Sequence, residues 1–536
     1  MKKIFNLSFA LALSLSFCAC TKMMETAPEG YYVTSKQKAE ITTANPDMVS
    51  AGVNGIFAQF STYMSVTGDR HNDFGYPSVM LFTDGDGIDV LSQDNGYNWV
   101  SGGLDFSERV YTSYESEIIW KTLYSMIYTA NTLASTVVDP EEPETKFYLA
   151  QALGTRAFSY WVLAQLYQFN YVDHKSSLCV PIVTEANAGD VAMNGAPRAT
   201  VEAVYTQILA DVNKAIELLE GSGMSAPDKR YIGLDVAYGL RARVDLTMEN
   251  WASAADFAKK AIEVSSSSPY TIAQASRPAF TNAKDNSFMW GILIAETDRV
   301  VTSGIVNWLS HMGSFNYGYC WYAGGRQINN KLFESIPDTD VRKCWWIDSE
   351  CYSPMFDSQP DGADLDYVIN TYVEYPPYTQ VKFAPYKDEL LSETNAVDMP
   401  LMRIEEMYYI LAEGLAMSGN TTDAKIELDK FVKDYRDPSF EFVIGDKKAM
   451  QDQIWNQRRI EFWGEGLAWF DIMRLKKDID RRGLGYPDAT SVLNIKYGDN
   501  IMLWRLPECE IQANPAIEES DNNPVAPQPT PVPDNN

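Results

Sequence analysis

The chain of 536 residues is poor in the residue types that most often carry enzyme chemistry, with only three histidines and seven cysteines. None of the histidines belongs to an HExxH motif or lies at ligand spacing from another. The sequence also lacks a GxSxG nucleophile elbow, a GxxxxGK phosphate loop and a GxGxxG fingerprint. We therefore predict neither catalysis nor a cofactor, and no metal site.

Positive charge is scarce too. Lys and Arg number 44 against 72 Asp and Glu, which gives a net charge of −28. A chain this acidic repels phosphate backbones, so nucleic acid is excluded as a partner. The composition is 46% hydrophobic and 12% aromatic, which provides ample material for a packed core.

The first residues predict secretion. Two lysines precede an apolar run over residues 4–17, which is too short to span a bilayer. The run ends in Ala19-Cys20, a small residue before a cysteine. We predict a signal peptide at 1–19, lipidation of Cys20 and a tether over 20–40, with Cys18 as the alternative lipid site. No later stretch is long and apolar enough to span a bilayer, so the lipid would be the only membrane anchor.

Two smaller motifs leave alternatives open. Cys344 and Cys351 are the only closely spaced pair among the other cysteines, and free buried thiols are favoured over a bridge. Asp84–Asp89 resembles part of a calcium loop, but no Glu closes it. A solvated turn is the favoured interpretation, and whether a calcium ion binds there stays open.

Helical periodicity dominates the chain over about 45–265 and 400–480. Thr200 is predicted to cap one helix. Asp235–Met248 and Trp251–Val264 predict a helical hairpin with tetratricopeptide-like spacing of small residues. We expect a mainly α fold built on a divergent helical-repeat scaffold within one domain over 41–513.

The remaining parts of the chain lose this periodicity. Residues 266–400 predict a loop-rich insertion with short β-like runs at Phe288–Ala295 and Asp366–Tyr372. Residues 514–536 are rich in Pro and Asn and predict a disordered tail.

Three polar-aromatic segments suggest a binding face. One has aromatic residues at every second position, which would form a ladder on one face if extended: Phe315, Tyr317, Tyr319 and Trp321. The others hold Tyr97, Asn98 and Trp99, and Arg70 and Asp73. Flat rings among amides and charges suit carbohydrate, because rings stack on a sugar and polar groups bind its hydroxyls. Core packing is the alternative, and it is favoured for Phe315.

Six blocks, in order, resemble the SusD/RagB family of outer-membrane nutrient-binding lipoproteins over about residues 27–523. They are Trp120–Asn131, Ala152–Trp161, Arg198–Asp211, Arg403–Glu413, Arg458–Asp471 and Leu506–Pro515. Gln457 and Ala468 depart from the family pattern, which usually has Glu and Arg there. Four charged residues could suggest catalysis: Arg459, Glu461, Glu465 and Asp471. A charged network that pins helices together, with Arg458 one turn before Glu461, is favoured.

The resemblance implies a SusD-like fold with a loop-rich ligand face, and partnership with a SusC-like TonB-dependent transporter. It also implies a lipid-anchored, outer-membrane, cell-surface location and a non-enzymatic role in glycan uptake. The implied glycan contacts are Tyr97, Asn98, Trp99, Tyr319, Trp321 and Tyr322, with Arg70 and Asp73 as polar contacts. Three alternatives stay open: peptide capture in the same system, a lipid-anchored glycoside hydrolase with two carboxylates, and a tetratricopeptide scaffold with protein partners only.

Overall fold

The computed structural model of the protein describes residues 47–66, 70–97, 99–137 and 140–534. The predicted signal peptide, Cys20 and the tether lie outside these residues. Within the described ranges, no helix is both long enough and apolar enough to cross a membrane.

Helices dominate the first half of the chain, as predicted. The elements to residue 264 are α1 (Asp47–Gln59), α2 (Tyr76–Gly85), β1 (Val90–Leu91), α3 (Ser101–Asp105), α4 (Tyr114–Ala134), α5 (Pro143–Tyr167), α6 (Tyr171–His174), α7 (Ala188–Asn194), α8 (Val201–Ser222), α9 (Leu234–Thr247) and α10 (Trp251–Val264).

The middle region contains only short elements. They are α11 (Ile272–Ala275), β2 (Phe288–Ile292), α12 (Arg299–Thr302), α13 (Trp308–Met312), α14 (Tyr319–Tyr322), β3 (Gln327–Ile328), α15 (Asn330–Glu334), α16 (Met355–Ser358) and α17 (Gly362–Tyr367), with 3₁₀ turns at Val341–Trp345 and Tyr386–Asp388 and a π-helical turn at Val368–Tyr372.

The last part returns to longer helices. Its elements are β4 (Met399–Arg403), α18 (Ile404–Ser418), α19 (Thr421–Tyr435), α20 (Lys447–Glu461), α21 (Ala468–Arg474), β5 (Ile479–Asp480), β6 (Asn494–Ile495) and α22 (Glu508–Ala513), with 3₁₀ turns at Ala489–Ser491, Asn500–Met502 and Glu519–Asp521.

The longer helices pack in succession, α4 on α5, α5 on α8, then α9, α10, α18 and α19. The Thr200 hydroxyl accepts the Ala203 N–H at 3.2 Å, which confirms the predicted cap of α8. The predicted hairpin is α9 and α10, and Ala242, Ala254 and Ala258 are fully buried between helices. Small residues allow this close approach, so the prediction of a mainly α repeat scaffold is confirmed.

The β-like runs of the middle region have different outcomes. Phe288–Ile292 is strand β2, which pairs antiparallel with β4. The prediction of a strand at Asp366–Tyr372 is wrong, because the segment is helical. Leu365, Val368 and Ile369 are buried at helical spacing, and this burial overrides the β-propensity of the branched residues.

The predicted charged network is present in part. Arg458 pairs with Asp471 at 2.8 Å, whereas Arg459 pairs with Asp89 at 2.6 Å. Glu461 and Glu465 bind arginines from other segments of the chain.

The Glu461 carboxylate accepts from Arg436 at 2.7 Å and from Arg403 at 3.0 Å, and Glu465 accepts from Arg403 at 2.8 Å. Arg342 joins Glu461 at 3.3 Å, and the side chains of Glu461, Glu465 and the arginines that bind them are at most 4% exposed. These arginines hold the pKa of Glu461 well below its ordinary value although burial opposes this.

The helical periodicity predicted over about 400–480 is interrupted near its end, where α20 and α21 are separate helices. The break holds Gly464 and Gly466, both at φ +76°. A Cβ on Gly464 would lie 2.9 Å from the Phe383 ring, and one on Gly466 would lie 2.7 Å from Met80. The left-handed backbone and this close packing both require glycine at the break.

The Asp84–Asp89 turn is buried, so the prediction of a solvated turn is wrong. The Asp86 carboxylate accepts from Arg109 at 2.6 Å, and Asp89 accepts from Arg459 at 2.6 Å. Asp84 is 2% exposed and accepts the Gly466 N–H at 2.9 Å. Arginine side chains and backbone N–H groups from distant parts of the chain thus bind these carboxylates. Among the described residues no group of three or more His, Cys, Asp or Glu could hold a metal ion.

Residues 514–523 pack against the rest of the protein, contrary to the disorder predicted over 514–536, whereas residues 524–534 are mostly exposed. Asn523 is 3% exposed and donates to the carbonyls of Tyr167 and Trp504 at 2.8 and 2.7 Å. Asn514 bonds the main chain of Ala196. Cys344 and Cys351 are free thiols, and within the described residues the other three cysteines are free as well.

Candidate ligand-binding surface

Strand pairing brings two of the predicted aromatic segments together. β1 pairs antiparallel with β3, Val90 opposite Ile328 and Leu91 opposite Gln327. The segment after β1 therefore runs beside the segment before β3, which holds α14. The Asn95 side-chain amide donates to the Tyr322 carbonyl and ties the two segments.

Five rings from these segments and from the π-helical turn form an aromatic surface: Tyr97, Tyr317, Trp321, Tyr322 and Tyr372. The Tyr97 and Tyr322 ring centroids are 5.4 Å apart, and Trp321 stacks on Tyr322 at 5.8 Å with 15° between planes. The Tyr372 and Trp321 ring centroids lie 5.2 Å apart.

The aromatic surface is accessible. Tyr97 is 52% exposed, Tyr322 44% and Tyr372 45%, while Trp321 and Tyr317 are half-buried. The Tyr317 and Tyr322 hydroxyls lie 3.3 Å apart, and this hydrogen bond raises the pKa of Tyr317. Exposed rings held by each other and by short helices offer a preformed apolar platform with hydroxyls at its edge.

The predicted extended ladder over residues 315–321 is wrong. Tyr319–Tyr322 is a helical turn, so alternate rings do not share a face. Phe315 is fully buried in the core, as favoured from the sequence, and Tyr319 is 4% exposed. A Cβ on Gly318 would lie 2.5 Å from the Ser310 hydroxyl, so glycine lets the chain pass close to α13 before it turns.

Behind the aromatic surface lies an inner cluster of Arg70, His71, Trp99 and Tyr319. The His71 ring stacks on Trp99 at 4.6 Å, and its Nδ1 hydrogen-bonds the Tyr319 hydroxyl. Trp99 is half-buried at φ +54°, and the Asn72 amide donates to its carbonyl at 2.9 Å. Burial raises the pKa of Tyr319. This cluster is a support for the loop, with its Trp99 ring partly accessible.

The two predicted polar contacts differ in their placement. The half-buried Arg70 forms an ion pair with Glu115, and its guanidinium lies 5.3 Å from the Trp99 ring and 5.1 Å from Tyr114. Asp73 is 3% exposed and accepts the Met64 N–H at 2.8 Å, so we correct its role from ligand contact to loop support. Burial raises the pKa of Asp73. Asn98 lies outside the described residues.

Little in the sequence indicates that two residues, Tyr372 and His71, belong to this region. Tyr372 belongs to a run whose composition predicts a strand, although its tyrosines at 367 and 372 are both exposed. The sequence marks His71 only as part of a polar-aromatic stretch. His311 stacks on Tyr319 at 4.9 Å, so two of the three histidines in the chain meet here. The His311 Nε2 also lies 2.9 Å from the His71 carbonyl oxygen, a contact between residues 240 positions apart that the sequence does not reveal.

Comparison with known proteins relates this chain to a described protein family. A family profile described as "SusD family" matches residues 358–525, and a SusD-like profile described as "Starch-binding associating with outer membrane" matches residues 87–246. Together these ranges cover more than half of the chain. The protein belongs to the SusD/RagB family.

Individual relatives agree with this assignment. SusD-like protein P38 of Formosa agariphila is 23% identical over 401 residues, which are 68% of this chain and 73% of that protein. A SusD-like carbohydrate binding protein from Bacteroides vulgatus superposes with a TM-score of 0.73 at 21% identity, over 90% of this chain and 98% of its own.

A further solved structure carries a ligand. Surface glycan-binding protein A from Bacteroides thetaiotaomicron, in complex with laminarihexaose, has a TM-score of 0.63 at 15% identity, over 89% of this chain and 99% of its own. At these identities the structural matches show a shared fold.

Proposed function

We propose that the protein is a non-enzymatic, cell-surface lipoprotein that captures an oligosaccharide or polysaccharide on the aromatic surface. The observation that carries this proposal is the row of rings in which the exposed Tyr97, Tyr322 and Tyr372 accompany the half-buried Trp321. Exposed aromatic rings in contact are costly to leave in water, and a sugar ring can cover them. The family profile described as starch-binding and the relative that binds laminarihexaose support the same ligand class.

Binding would use both parts of the rings. The apolar face of a pyranose stacks on Trp321 and Tyr322, while its hydroxyls bond the Tyr317 and Tyr97 hydroxyls at the edge. From the inner cluster, the half-buried Trp99 and Arg70 extend the contact, and Asn98, next to Trp99 in the sequence, is retained as a proposed contact. Because the rings hold one another before a ligand arrives, little side-chain entropy is lost on binding.

Removal of two rings tests the site. Each stacked ring contributes ~1 kcal/mol, so Trp321→Ala with Tyr322→Ala should weaken glycan binding roughly 30-fold. Calorimetric titration against a panel of plant and host polysaccharides, with a peptide mixture alongside, provides the measurement. Tyr322→Phe keeps the ring and should retain most of the affinity. Tyr128→Ala, on α4 and 74% exposed, is the control for loss of an unrelated surface tyrosine.

The outcomes are separable. Glycan binding that is unchanged in the double variant would refute the site. Binding to peptides alone would replace the glycan by the peptide alternative. Release of new reducing ends from a bound glycan would contradict the non-enzymatic role.

We also propose that lipidated Cys20 anchors the chain in the outer membrane and that a SusC-like TonB-dependent transporter receives the glycan. Family membership supports this partnership. Affinity purification of the tagged full chain from detergent-solubilised outer membranes should recover a large barrel protein. Cys20→Ala should release the chain from the membrane fraction. Recovery of soluble periplasmic proteins alone would count against the uptake complex.

A further inference from the structure

A second candidate site is a cleft of about 670 Å³ that lies apart from the aromatic surface, and we call it the second cleft. It is formed by the segments 270–285, 359–365 and 384–398, together with Ile294, and shares no lining residue with the aromatic surface. Its volume falls within the ~300–1,000 Å³ typical of small-molecule sites. The family resemblance and the aromatic pattern gave no indication of this cleft.

The cleft contains hydrogen-bonding groups that the protein leaves unused. Thr281 is 7% exposed, and its hydroxyl makes no hydrogen bond to any described residue. Asp285 accepts the Tyr270 hydroxyl with Oδ2, while its Oδ1 has no partner among the described residues. Polar atoms that line a cleft without a protein partner are free to bind a ligand that supplies hydroxyls.

The cleft is also rigid. Both oxygens of Asp398 accept backbone N–H groups, from Ala283 at 2.9 Å and from Ile294 at 3.0 Å. The Asp398 N–H in turn donates to the Thr281 carbonyl at 3.0 Å. Asp398 therefore fixes the backbone at Thr281, at Ala283 between Thr281 and Asp285, and at Ile294, so the site is formed before any ligand binds.

The cleft carries charges of both signs. Four aspartates line it, and three cations accompany them: Asp285, Asp361, Asp388, Asp398, Arg277, Lys284 and Lys387. Arg277 donates to Gln359 at 2.9 Å and Lys387 pairs with Glu296, so two of the cations are already engaged. Burial raises the pKa of Asp285 and of Asp398. These features favour an uncharged ligand over an anion or a strong cation.

The apolar part of the lining suits the same ligand. Tyr386 is half-buried, with its hydroxyl bound to Glu296 at 2.8 Å, and Ala384, Pro385 and Val397 are buried beside it. An aromatic ring and small apolar side chains next to carboxylate and hydroxyl acceptors match the two faces of a sugar ring, one apolar and one rich in hydroxyls.

We propose that the second cleft binds one or two units of a neutral sugar, with Asp285 and Thr281 as the hydroxyl-binding residues. This site is additional to the aromatic surface and does not depend on glycan binding there.

Saturation-transfer NMR tests the proposal with glucose, galactose, mannose, xylose and N-acetylglucosamine as neutral probes, and with N-acetyl-lysine methyl ester and methyl phosphate as charged probes. The protein is the full chain with Trp321→Ala and Tyr322→Ala, so that the aromatic surface cannot dominate the signal. Asp285→Asn and Thr281→Val are then added. Both changes are nearly isosteric, and the amide introduced at position 285 can still accept from Tyr270, so the fold is expected to survive. Thermal unfolding followed by circular dichroism checks this for every variant.

We expect at least one sugar to give a signal in the aromatic-surface variant, and this signal to fall at least fivefold when Asp285 and Thr281 are also changed. The proposal is overturned if no sugar gives a signal, if the two added changes leave the signal as it was, or if only the charged probes N-acetyl-lysine methyl ester and methyl phosphate bind. Comparison of wild type with the aromatic-surface variant tests the proposed function separately, so failure of either site is distinguishable.

Discussion

The buried carboxyl group of Asp84 predicts that stability falls as pH rises. Asp84 lies in α2, and its Oδ2 accepts the Gly466 N–H, while its other oxygen has no hydrogen-bond partner among the described residues. Burial raises the pKa of Asp84 to about 8, against the lowering effect of the Gly466 N–H, and the nearby Glu465 carboxylate adds to the rise.

The direction and size of this pH dependence follow from the difference in proton binding between the folded and unfolded states. Between pH ~4 and ~8 the folded protein keeps a proton on Asp84 that the unfolded chain has released. The free energy of unfolding should therefore fall with rising pH by ~1.4 kcal/mol per pH unit from this group, and by at most ~6 kcal/mol over the whole interval. Below pH ~4 both states hold the proton, and this dependence ends.

Asp84→Asn isolates the effect. The amide can still accept the Gly466 N–H, and it does not titrate. The free energy of unfolding of the variant, relative to wild type, should therefore rise by ~2.7 kcal/mol between pH 5 and pH 7. Urea unfolding followed by tryptophan fluorescence at pH 5, 6 and 7 measures this difference.

The chosen pH range and a control variant ensure that the measured difference reports on Asp84. Burial lowers the pKa of the neighbouring Lys382 to about 8, so Lys382 stays largely charged over this range. Asp434→Asn changes an exposed carboxylate in α19 and should follow wild type at all three pH values. Parallel curves for Asp84→Asn and wild type would refute the buried, protonated state of Asp84.

Three further outcomes test the scaffold. Glu461→Gln should lower the free energy of unfolding by ~3–5 kcal/mol, because it leaves buried arginines without a carboxylate, and urea unfolding measures the loss. Gly466→Ala should lower it by roughly 1–3 kcal/mol through backbone strain, with the contact to Met80 adding to the cost, and an unchanged unfolding midpoint would contradict the close packing. Reduction with dithiothreitol should leave the thermal midpoint unchanged, since Cys344 and Cys351 are unpaired, and a fall on reduction would reveal a bridge.

The sequence was sufficient for the helical scaffold because the information there is local. The Thr200 cap, the apolar stripes and the small residues of α9 and α10 each act within a few turns of helix, and the structure confirms them. The ordered blocks likewise identified the family. Periodicity did not predict the break between α20 and α21, because tertiary packing at Gly464 and Gly466 determines it. β-propensity wrongly predicted a strand around Ile369, because burial there favours a helix.

Some features of the candidate site were also indicated by local sequence, whereas others depend on tertiary structure. Sequence alone indicated that Tyr97, Trp99 and Trp321 lie among small and polar residues, which is unusual for core rings. Only the pairing of β1 with β3 brings residues more than 200 positions apart into one surface. The burial of Asp73 and of the Asp84–Asp89 turn, and the formation of the second cleft from three separate segments, were decided by tertiary structure as well. Composition and periodicity report what a residue prefers within its own segment, whereas burial and contact depend on which distant segments pack against it.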